Sequence, residues 1–559
     1  MHDALLTPDI VFNIFDCFVR DHALPQGQYG PYDVDRPALA ACARTCRAFY
    51  TPAVTALWKD CNLDLETVLL HCMPADVWEI VRRKTSSNDS TVDYMLLRRP
   101  VIREDLDRLL ALASLINKLT VGGCRSKMLA QGSYSSVSSF LPKGVFSNLR
   151  HLEWAGGGAD LAYLPLFLSP SVHYLSLDCW NFPLLTSNLA VYSPHISHFD
   201  VCLPDDDGNG VAKWDKGEVA HLLRTWDLRR LRAEGLDYGP LADLHRWPSL
   251  LSLDLKFRDE SLKSHSVDFH ALSFAALKVL HLYNVDIHVV IALLRNSTFD
   301  SLDELCLNPI HTVSRDWPEL YRAANSAIIR QELMTTFVIE LGDPNTSLKH
   351  LHESSAPMTD KDLIPFFQFR NLTTLALRHP GGFDVGSSTI ECLAEALPHL
   401  TTFALSSMKQ PRCQPRAGLH VLESLAMHCP DLRSVRLTLD ARGTSFRSPP
   451  PTYKSPALRS LSVQWSPIRS PRAVAGYLFS WFPELEYVSS SWKRCTLTSR
   501  KRWDRIEEYT WALQKARRGA GATEIHFDFG RDGHEGEVEE DDESSLDEED
   551  VESSDDESD

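Results

Sequence analysis

The sequence has 559 residues, which is too long for one compact hydrophobic core and predicts several domains or an elongated repeat array. Its 13 cysteines include no CxxC pair and are too sparse for a disulfide scaffold. The formal net charge of −18 lies almost wholly in the 17 acids from Asp532 to Asp559, because removing these from the 75 acids leaves 58, against 57 Lys and Arg. With no apolar run of about 18 residues, we expect a neutral, soluble body in the cytoplasm, the nucleus or both.

The first 62 residues predict a small bundle of three helices. In "LLTPDIVFNIFDCFV", Thr7 can cap a helix and Pro8 suits its first turn, where its missing N–H costs nothing. The stretch "ALAACARTCRAFYTPAVTALWKDC", residues 38–61, continues the helical spacing of apolar residues, and Thr51-Pro52 predicts the start of a third helix. The apolar face of the first helix comprises Ile10, Val11, Ile14, Phe15 and Phe18. So small a bundle needs a neighbour or a partner.

Residues 63–114 are predicted to form a helical linker, and one short pattern then recurs across residues 115–490. It consists of an aliphatic residue, two variable ones, a second aliphatic, one variable and a third apolar residue, as in "LLSLDL". Most of its periods lie in or near the ~20 to 29 residues of leucine-rich repeats. The fourteen occurrences start at residues 116, 149, 172, 196, 228, 250, 277, 302, 348, 372, 400, 432, 458 and 485.

This pattern predicts one strand per repeat, because alternate residues of a strand point to opposite faces of its sheet. The second and third apolar positions then face a core covered by helices, and the residues between and beside them face outward. A purely helical solenoid is the alternative, but the Thr and Val at these sites favour strands. The expected fold is therefore an α/β repeat solenoid, a leucine-rich-repeat horseshoe preceded by the small all-α module.

Three further segments have distinct compositions. Residues 309–347 contain "RDWPELYRAANSAIIRQELMTTFVIELGD", which fits either an inserted helix or a degenerate repeat. Residues 491–530 are basic and predict a helix that caps the open end of the repeats, with a nuclear-import or nucleic-acid patch as the alternative. Residues 531–559 are too acidic and too poor in apolar side chains to fold, so we expect a disordered, solubilising tail.

The chain lacks the residue patterns of common catalytic and cofactor sites. It has no Walker-type or dinucleotide glycine loop, no HExxH and no GxSxG motif. "DDDGNGVAKWDKGE" begins like a calcium loop, but Lys216 stands where the bidentate Glu belongs. We therefore expect no enzyme activity, no metal and no cofactor.

The N-terminal helices followed by these repeats resemble F-box proteins with leucine-rich repeats. The resemblance is carried by "LLTPDIVFNIFDCF" and "LAACARTCRAFYTPAVTALWKDC", which are similar to the family's Leu-Pro-Pro-Glu opening, Ile-Phe pair, Val-Cys-Arg segment and closing Leu-Trp. This chain departs from the family in Thr7, in Asp9 and in a long loop over residues 20–36. The matching residues are Leu6, Pro8, Ile14, Phe15, Leu39, Cys46, Arg47, Phe49, Leu57 and Trp58.

The resemblance implies a substrate receptor of an SCF-type ubiquitin ligase, with a Skp-type adaptor and a cullin scaffold as partners and ubiquitin transfer left to other subunits. It places five residues at or near the adaptor contact, although each of them could equally pack the bundle's own core. A repeat scaffold that does not assemble into a ligase is the alternative function. The five residues are Leu6, Pro8, Ile10, Ile14 and Phe15.

The target protein is expected to bind the outward residues of the repeat strands, on the concave face. Charges of both signs along this face suit a polar protein partner better than nucleic acid, whose phosphates favour a uniformly basic strip. The convex side and residues 309–347 remain the alternative locations. Beside His151 and Tyr174, the predicted target-binding residues are Glu153, Asp178, Arg230, Arg232, Asp254, Lys256, His281, Tyr283, Arg378 and Arg436.

Overall fold

The protein's structure is a computed structural model, and its chain divides into two compact units, residues 1–510 and residues 511–559. In the second unit only the end of one helix is described. The described residues are 7–16, 36–59, 63–84, 91–122, 127–155, 158–178, 186–202, 223, 225–236, 247–257, 269, 271–310, 316–340, 356–407, 414–443, 457–490 and 497–519.

The N-terminal module consists of three helices, α1 (Pro8–Asp16), α2 (Arg36–Thr45) and α3 (Arg47–Lys59). It has a hydrophobic cluster of its own, separate from that of the repeats. The ring of Phe15 meets that of Phe49 edge-on, with centroids 5.6 Å apart. The cluster's buried members are Val11, Phe15, Leu39, Ala53 and Ala56.

The break between the second and third helices lies at Cys46, so the prediction that a helix starts at Thr51-Pro52 is wrong. Helix α3 runs through Pro52, whose ring is buried. Pro52 is the sixth residue of α3, beyond the first turn, so its missing N–H removes one backbone hydrogen bond from the helix. Burial of Pro52 beside Ala53 thus outweighs its cost within the helix.

Within the described residues, the repeats form one parallel sheet of fifteen strands, whose spatial order follows the chain. Thirteen of the fourteen predicted motifs are strands of this sheet, and "LKHLHE" at residue 348 lies outside the described residues. The strands are β1 (Leu63–Asp64), β4 (Lys118–Val121), β6 (His151–Trp154), β7 (Tyr174–Asp178), β8 (His198–Cys202), β9 (Arg230–Leu236), β10 (Ser252–Phe257), β12 (Val279–Asp286), β14 (Glu304–Ile310), β15 (Thr336–Ile339), β17 (Thr374–His379), β19 (Thr402–Ser407), β20 (Ser434–Arg436), β21 (Ser460–Gln464) and β22 (Tyr487–Ser490).

Equivalent motif positions pair across this sheet. Leu152 pairs with Leu175, for example, and Leu253 pairs with Leu280. Because the side-chain period of a strand is two, this alignment puts the second and third apolar positions of the motifs on the same face. That face is the core, and the protein is an α/β solenoid of leucine-rich repeats.

Helices and small sheets cover the core side of the main sheet. Short 3₁₀ segments occur between them, for example Gly158–Leu166 and Ile364–Gln368. The α-helices are α4 (Leu65–Cys72), α5 (Asp107–Ala113), α6 (Gln131–Ser138), α7 (Thr186–Tyr192), α8 (Ile287–Arg295), α9 (Trp317–Ala327), α10 (Asp360–Leu363), α11 (Ser387–Ala396), α12 (Val421–His428) and α13 (Pro471–Trp481). The small sheets are the pairs β11 (Leu272–Phe274) with β13 (Ser297–Phe299) and β16 (Met358–Thr359) with β18 (Phe383–Asp384), and a three-stranded sheet of β2 (Trp78–Lys84), β3 (Thr91–Leu97) and β5 (Lys127–Leu129).

Residues 63–114 are only partly helical, which corrects the predicted helical linker. Strand β1 already belongs to the main sheet, where Leu63 pairs with Leu119. Strands β2 and β3 then pair antiparallel, in a register that places Trp78 opposite Leu97. Their sequences, "WEIVRRK" and "TVDYMLL", are rich in the β-branched and aromatic residues that favour strands.

Residues 309–347 contain both of the alternatives that the sequence left open. Helix α9 lies in this segment and buries one face that includes Trp317 and Tyr321. Strand β15 follows and pairs with β14 and β17 in the main sheet. Its motif reads "MTTFVI", in which Met334, Phe337 and Ile339 are buried at the three apolar positions of the motif. The segment is therefore a degenerate repeat with its own helix.

The last described helix, α14 (Leu497–Gly519), packs its first half on the end of the solenoid core. Trp503 and Ile506 are buried there, and the Trp503 Nε1–H donates to the Ser466 carbonyl oxygen at 2.8 Å. The Arg502 guanidinium donates to the Ile468 carbonyl oxygen at 2.9 Å. This helix covers apolar surface that the terminal repeat would otherwise expose to water.

His379, at the end of β17, makes the stability of the core sensitive to acid. It is 2% exposed and its ring lies edge-on to Trp317. Burial lowers the pKa of His379 to about 4. A histidine whose folded pKa is depressed resists protonation, so stability is complete above its unfolded pKa of about 6.5 and falls as pH drops toward 4.

We expect the free energy of unfolding to fall by up to about 3 kcal/mol between pH 6.5 and 4 on account of His379. The variant His379→Gln, which can still accept the Gly381 N–H bond made to Nδ1, should show a shallower dependence. Urea unfolding of both proteins across this pH range measures the difference. Parallel curves would contradict the assignment to His379.

Candidate functional site

The face of the main sheet opposite the core is here called the open face. It carries the third and fifth residues of each six-residue motif and the residue that follows the motif. In β6, His151 and Glu153 are half-buried on this face, while Leu152 and Trp154 are buried on the core side. The same alternation holds in β7 and β8.

The first strands of the open face carry a network of hydrogen bonds, an ion pair and one ring stack. The Glu153 carboxylate lies 2.8 Å from His151 Nε2 and 3.1 Å from Lys118 Nζ. The His151 ring stacks on that of Tyr174 at a centroid distance of 3.7 Å, and the Tyr174 hydroxyl donates to Asp200. The hydrogen bond from His151 lowers the pKa of Glu153 to about 2, so this carboxylate is ionised in the folded protein at neutral pH.

The central strands of the open face continue this charge alternation. Arg232 lies 3.3 Å from Glu234 and 3.9 Å from Asp254, counted between nitrogen and oxygen. Lys256 Nζ lies 3.6 Å from the Glu234 carboxylate. Cross-strand pairs of opposite charge thus neutralise each other along β9 and β10.

His281 extends the network to β14. Its ring nitrogens lie 3.8 Å from Asp254 and 3.6 Å from Glu304. Burial alone would lower the pKa of His281, but Asp254, Cys306 and Glu304 outweigh it and raise the pKa above its ordinary value. The imidazolium therefore acts as a cation between two carboxylates at neutral pH.

The strands from β15 onward present a different open face. Its third and fifth motif positions hold mainly small uncharged residues, which are Thr336, Val338, Thr374, Ala376, Thr402, Ala404, Ser434, Ser460, Ser462 and Ser489. Arg378 and Arg436 also lie here, and among the described residues neither has a carboxylate within 4.0 Å. Arg378 is half-buried, and its Nε has no hydrogen-bond partner among those residues. Burial and the charge of Arg436 lower the pKa of Arg378.

The structure places all ten predicted target-binding residues on the open face, but it separates them into two groups. Eight of them, from Glu153 to Tyr283, lie on β6 to β12, where most charges are paired. Arg378 and Arg436 lie beyond, on β17 and β20. Their partners Lys118, Asp200, Glu234 and Glu304 are not among the predicted residues, although each occupies an outward position of its motif or follows one.

The N-terminal module offers a second surface. Helix α1 buries Val11 and Phe15, while Ile10 and Ile14, one turn apart, are 41% and 40% exposed. Phe15 is 3% exposed and belongs to the module's core, which is the alternative that the sequence left open for it, and its place at or near an adaptor contact stays a prediction. Leu6 lies outside the described residues, and Pro8 is the first residue of α1.

The described residues contain no group of three His, Cys, Asp or Glu side chains placed to hold a metal ion. The calcium-like stretch at residues 205–218 lies outside them. Of the helices that are described, none combines the length and apolar character needed to cross a membrane.

No protein-family model matches this sequence, and no curated protein matches it either. Among solved structures it is similar to the complex of Rad7 and Elc1 from yeast, at 13% identity and a TM-score of 0.33 over 71% of this chain and 87% of that one. It is also similar to an internalin from Listeria monocytogenes, at 16% identity and a TM-score of 0.31 over 77% and 96% of the two chains.

A third similar structure is the leucine-rich-repeat ectodomain of the Arabidopsis thaliana receptor kinase GASSHO1/SCHENGEN3, at 12% identity and a TM-score of 0.25 over 70% of this chain and 49% of that one. Similarity at this level assigns no function. The repeat architecture rests on the fifteen-stranded sheet itself.

Proposed function

We propose that this protein is the substrate-recognition subunit of an SCF-type ubiquitin ligase, in which the N-terminal module binds a Skp-type adaptor and the open face binds a target protein. Ubiquitin transfer itself belongs to other subunits, so the protein is not an enzyme. The residues that resemble the F-box motif lie on α1 to α3, apart from Leu6, which is outside the described residues, and Cys46, which lies between α2 and α3.

The observation that carries the proposal is the exposure of Ile10 and Ile14 on a module that has its own core. Burying a large aliphatic side chain contributes roughly 1.5–3 kcal/mol, so two exposed isoleucines on one helix face favour a partner that covers them. A helical adaptor that presents an apolar groove supplies such cover. The remaining face of α1 already packs Val11 and Phe15 within the module.

The open face supports the second half of the proposal through its size and polarity. It extends across fifteen strands and carries side chains of both charges, which suits a protein partner. Arg and Tyr, the residue types that dominate many protein interfaces, occur on it at Arg232, Tyr283 and Arg436.

The test is co-expression of a Skp-type adaptor with the full chain and with a chain that starts at residue 63. The cut falls between the module's separate core and strand β1, but it removes Trp58, which packs against the repeat core, so circular dichroism of the shortened chain must show that the repeats stay folded. We expect the full chain to retain the adaptor and the shortened chain to lose it. Equal recovery of adaptor with both chains would exclude the module as the adaptor site, and recovery with neither would favour a scaffold outside ligase assembly.

A further inference from the structure

The two halves of the open face differ in how their charges are satisfied. On β4 to β14, Lys118, Arg232, Lys256 and His281 each have a carboxylate within 4.0 Å. A partner that binds there must displace or share these ion pairs. The free energy lost with each ion pair offsets part of the free energy gained from the new contact. The first half is thus a poor site for strong charge recognition.

In the half from β15 to β22, by contrast, Arg378 and Arg436 have no carboxylate within 4.0 Å among the described residues. Arg378 lies beside Ser406 on β19, and Arg436 lies beside Ala404 on the same strand from its other side. With strands ~4.8 Å apart and ~3.3 Å per residue, the two arginine Cα atoms are about 12 Å apart. Arginine side chains are long enough to cover the small residues between them.

Burying the charged guanidinium of Arg378 costs desolvation free energy, and its surroundings do not offset that cost. It is half-buried, its Nε lacks a partner among the described residues, and the like charge of Arg436 acts against it. Glu340 attracts it but lies beyond ion-pair distance. Partly desolvated cations without an anion are rare because each costs free energy unless it is paired. An anionic ligand would satisfy both arginines.

We propose that the open face of β17, β19 and β20 is the part that captures the target, and that it binds an acidic, carboxylate-rich segment of that protein through Arg378 and Arg436. This inference rests on the proposed role of the open face in target binding. Each guanidinium can hold one carboxylate in a two-bond fork, so an Asp or Glu for each arginine completes the site.

The floor between the arginines favours carboxylates over phosphate. Ala404 offers no donor, and Ser406 is 5% exposed, so a third phosphate oxygen would find no accessible hydroxyl there. Nucleic acid is also disfavoured, because two cations with Glu340 nearby do not make the continuous basic strip that a phosphate backbone requires.

Fluorescence anisotropy with the purified full chain tests the proposal, using a labelled peptide of alternating Glu and Gly at about 50 mM NaCl, where screening is weak. We expect saturable binding that the double variant R378Q/R436Q weakens roughly tenfold or more. The matched control R433Q/R459Q removes the same charge at exposed residues that lead into β20 and β21, and it should change binding by less than about twofold. The acidic tail is present in every variant.

Unchanged peptide binding by R378Q/R436Q would overturn the proposal, as would an equal loss in the control. Tighter binding of a phosphoserine peptide of the same length, with the same dependence on both arginines, would overturn the choice of carboxylate. If circular dichroism shows that the double variant is unfolded, the single variant R436E, at an exposed residue, tests the proposal instead. It is expected to lose at least threefold in affinity for the peptide. The variant I10D/I14D should bind the peptide normally, so failure of the adaptor assignment is distinguishable from failure of this one.

Discussion

Replacing Ile10 and Ile14 with aspartate is expected to abolish co-purification of the adaptor while leaving the protein folded. Both side chains are about 40% exposed on α1, so charges there cost the free module little. In the complex they would be buried beside apolar adaptor residues without a partner. Loss of two apolar contacts at roughly 1.5 kcal/mol or more each predicts at least a hundredfold weaker binding. Pull-down from co-expressing cells, followed by titration calorimetry, measures this.

The control variant A40D/A48D adds the same two charges at exposed positions of α2 and α3. It should retain the adaptor, because these positions are not on the apolar face of α1. Undiminished binding by I10D/I14D would rule out α1 as the contact. Phe15→Ala is unsuitable for this purpose, since it removes a ring from the module's core and is expected to unfold the module.

Replacing Trp503 with alanine is expected to destabilise the last repeats by about 3–5 kcal/mol. The indole is 3% exposed, packs on the end of the core and donates to the Ser466 carbonyl oxygen. Its loss leaves a cavity and a buried acceptor without its donor. Because each repeat contacts mainly its neighbours, the C-terminal repeats should unfold first, which hydrogen exchange of β20 to β22 would record.

Two controls isolate the role of Trp503. Tyr509, on the same helix, is 41% exposed, and its replacement by alanine should change stability by less than about 0.5 kcal/mol. Deleting residues 532–559 removes acids rather than apolar surface and should leave the melting temperature unchanged. Equal melting temperatures for Trp503→Ala and the wild type would show that the helix does not cap the repeats.

The strands of the solenoid are the part of the fold that the sequence predicts best. The motif's apolar positions alternate at the period of a strand and recur at the period of a repeat, so local and long-range patterns agree. Strands β1 and β15 are the exceptions, and in β15 the cause is Met334, which stands at the first motif position where the recognised repeats have Leu, Ile or Val. A replacement that conserves side-chain volume keeps the core packed, but the sequence then no longer matches the motif.

The N-terminal region shows where periodicity alone is insufficient. Helical spacing groups Ile10, Val11, Ile14 and Phe15 on one face, yet that face is wide enough to be divided between the core and solvent. Which side is buried depends on where α3 packs, and tertiary contacts decide that. The same holds for Pro52, whose burial within α3 overrides its tendency to begin a helix.

The sequence predicts which positions lie on the open face, but not that the charges of the described residues are paired in one half of it and unpaired in the other. The pairing of Arg232 with Asp254, or of His281 with Glu304, depends on the register between strands. Aligning the motifs by their leucines gives that register, because equivalent positions pair. What the alignment does not give is the balance between burial and nearby charge, because carboxylates outweigh burial at Arg232, whereas burial and Arg436 prevail at Arg378.

The central claim, that this chain delivers a target to a ubiquitin ligase, is tested most directly by purifying the tagged full chain from its own cells and supplying ubiquitin, E1 and E2. We expect adaptor and cullin to co-purify and the captured proteins to become ubiquitinated. With I10D/I14D, the same captured proteins should be recovered without adaptor, cullin or ubiquitin transfer. Capture of partners by the wild-type chain with no adaptor or cullin in the complex would contradict the claim and leave an interaction scaffold in its place.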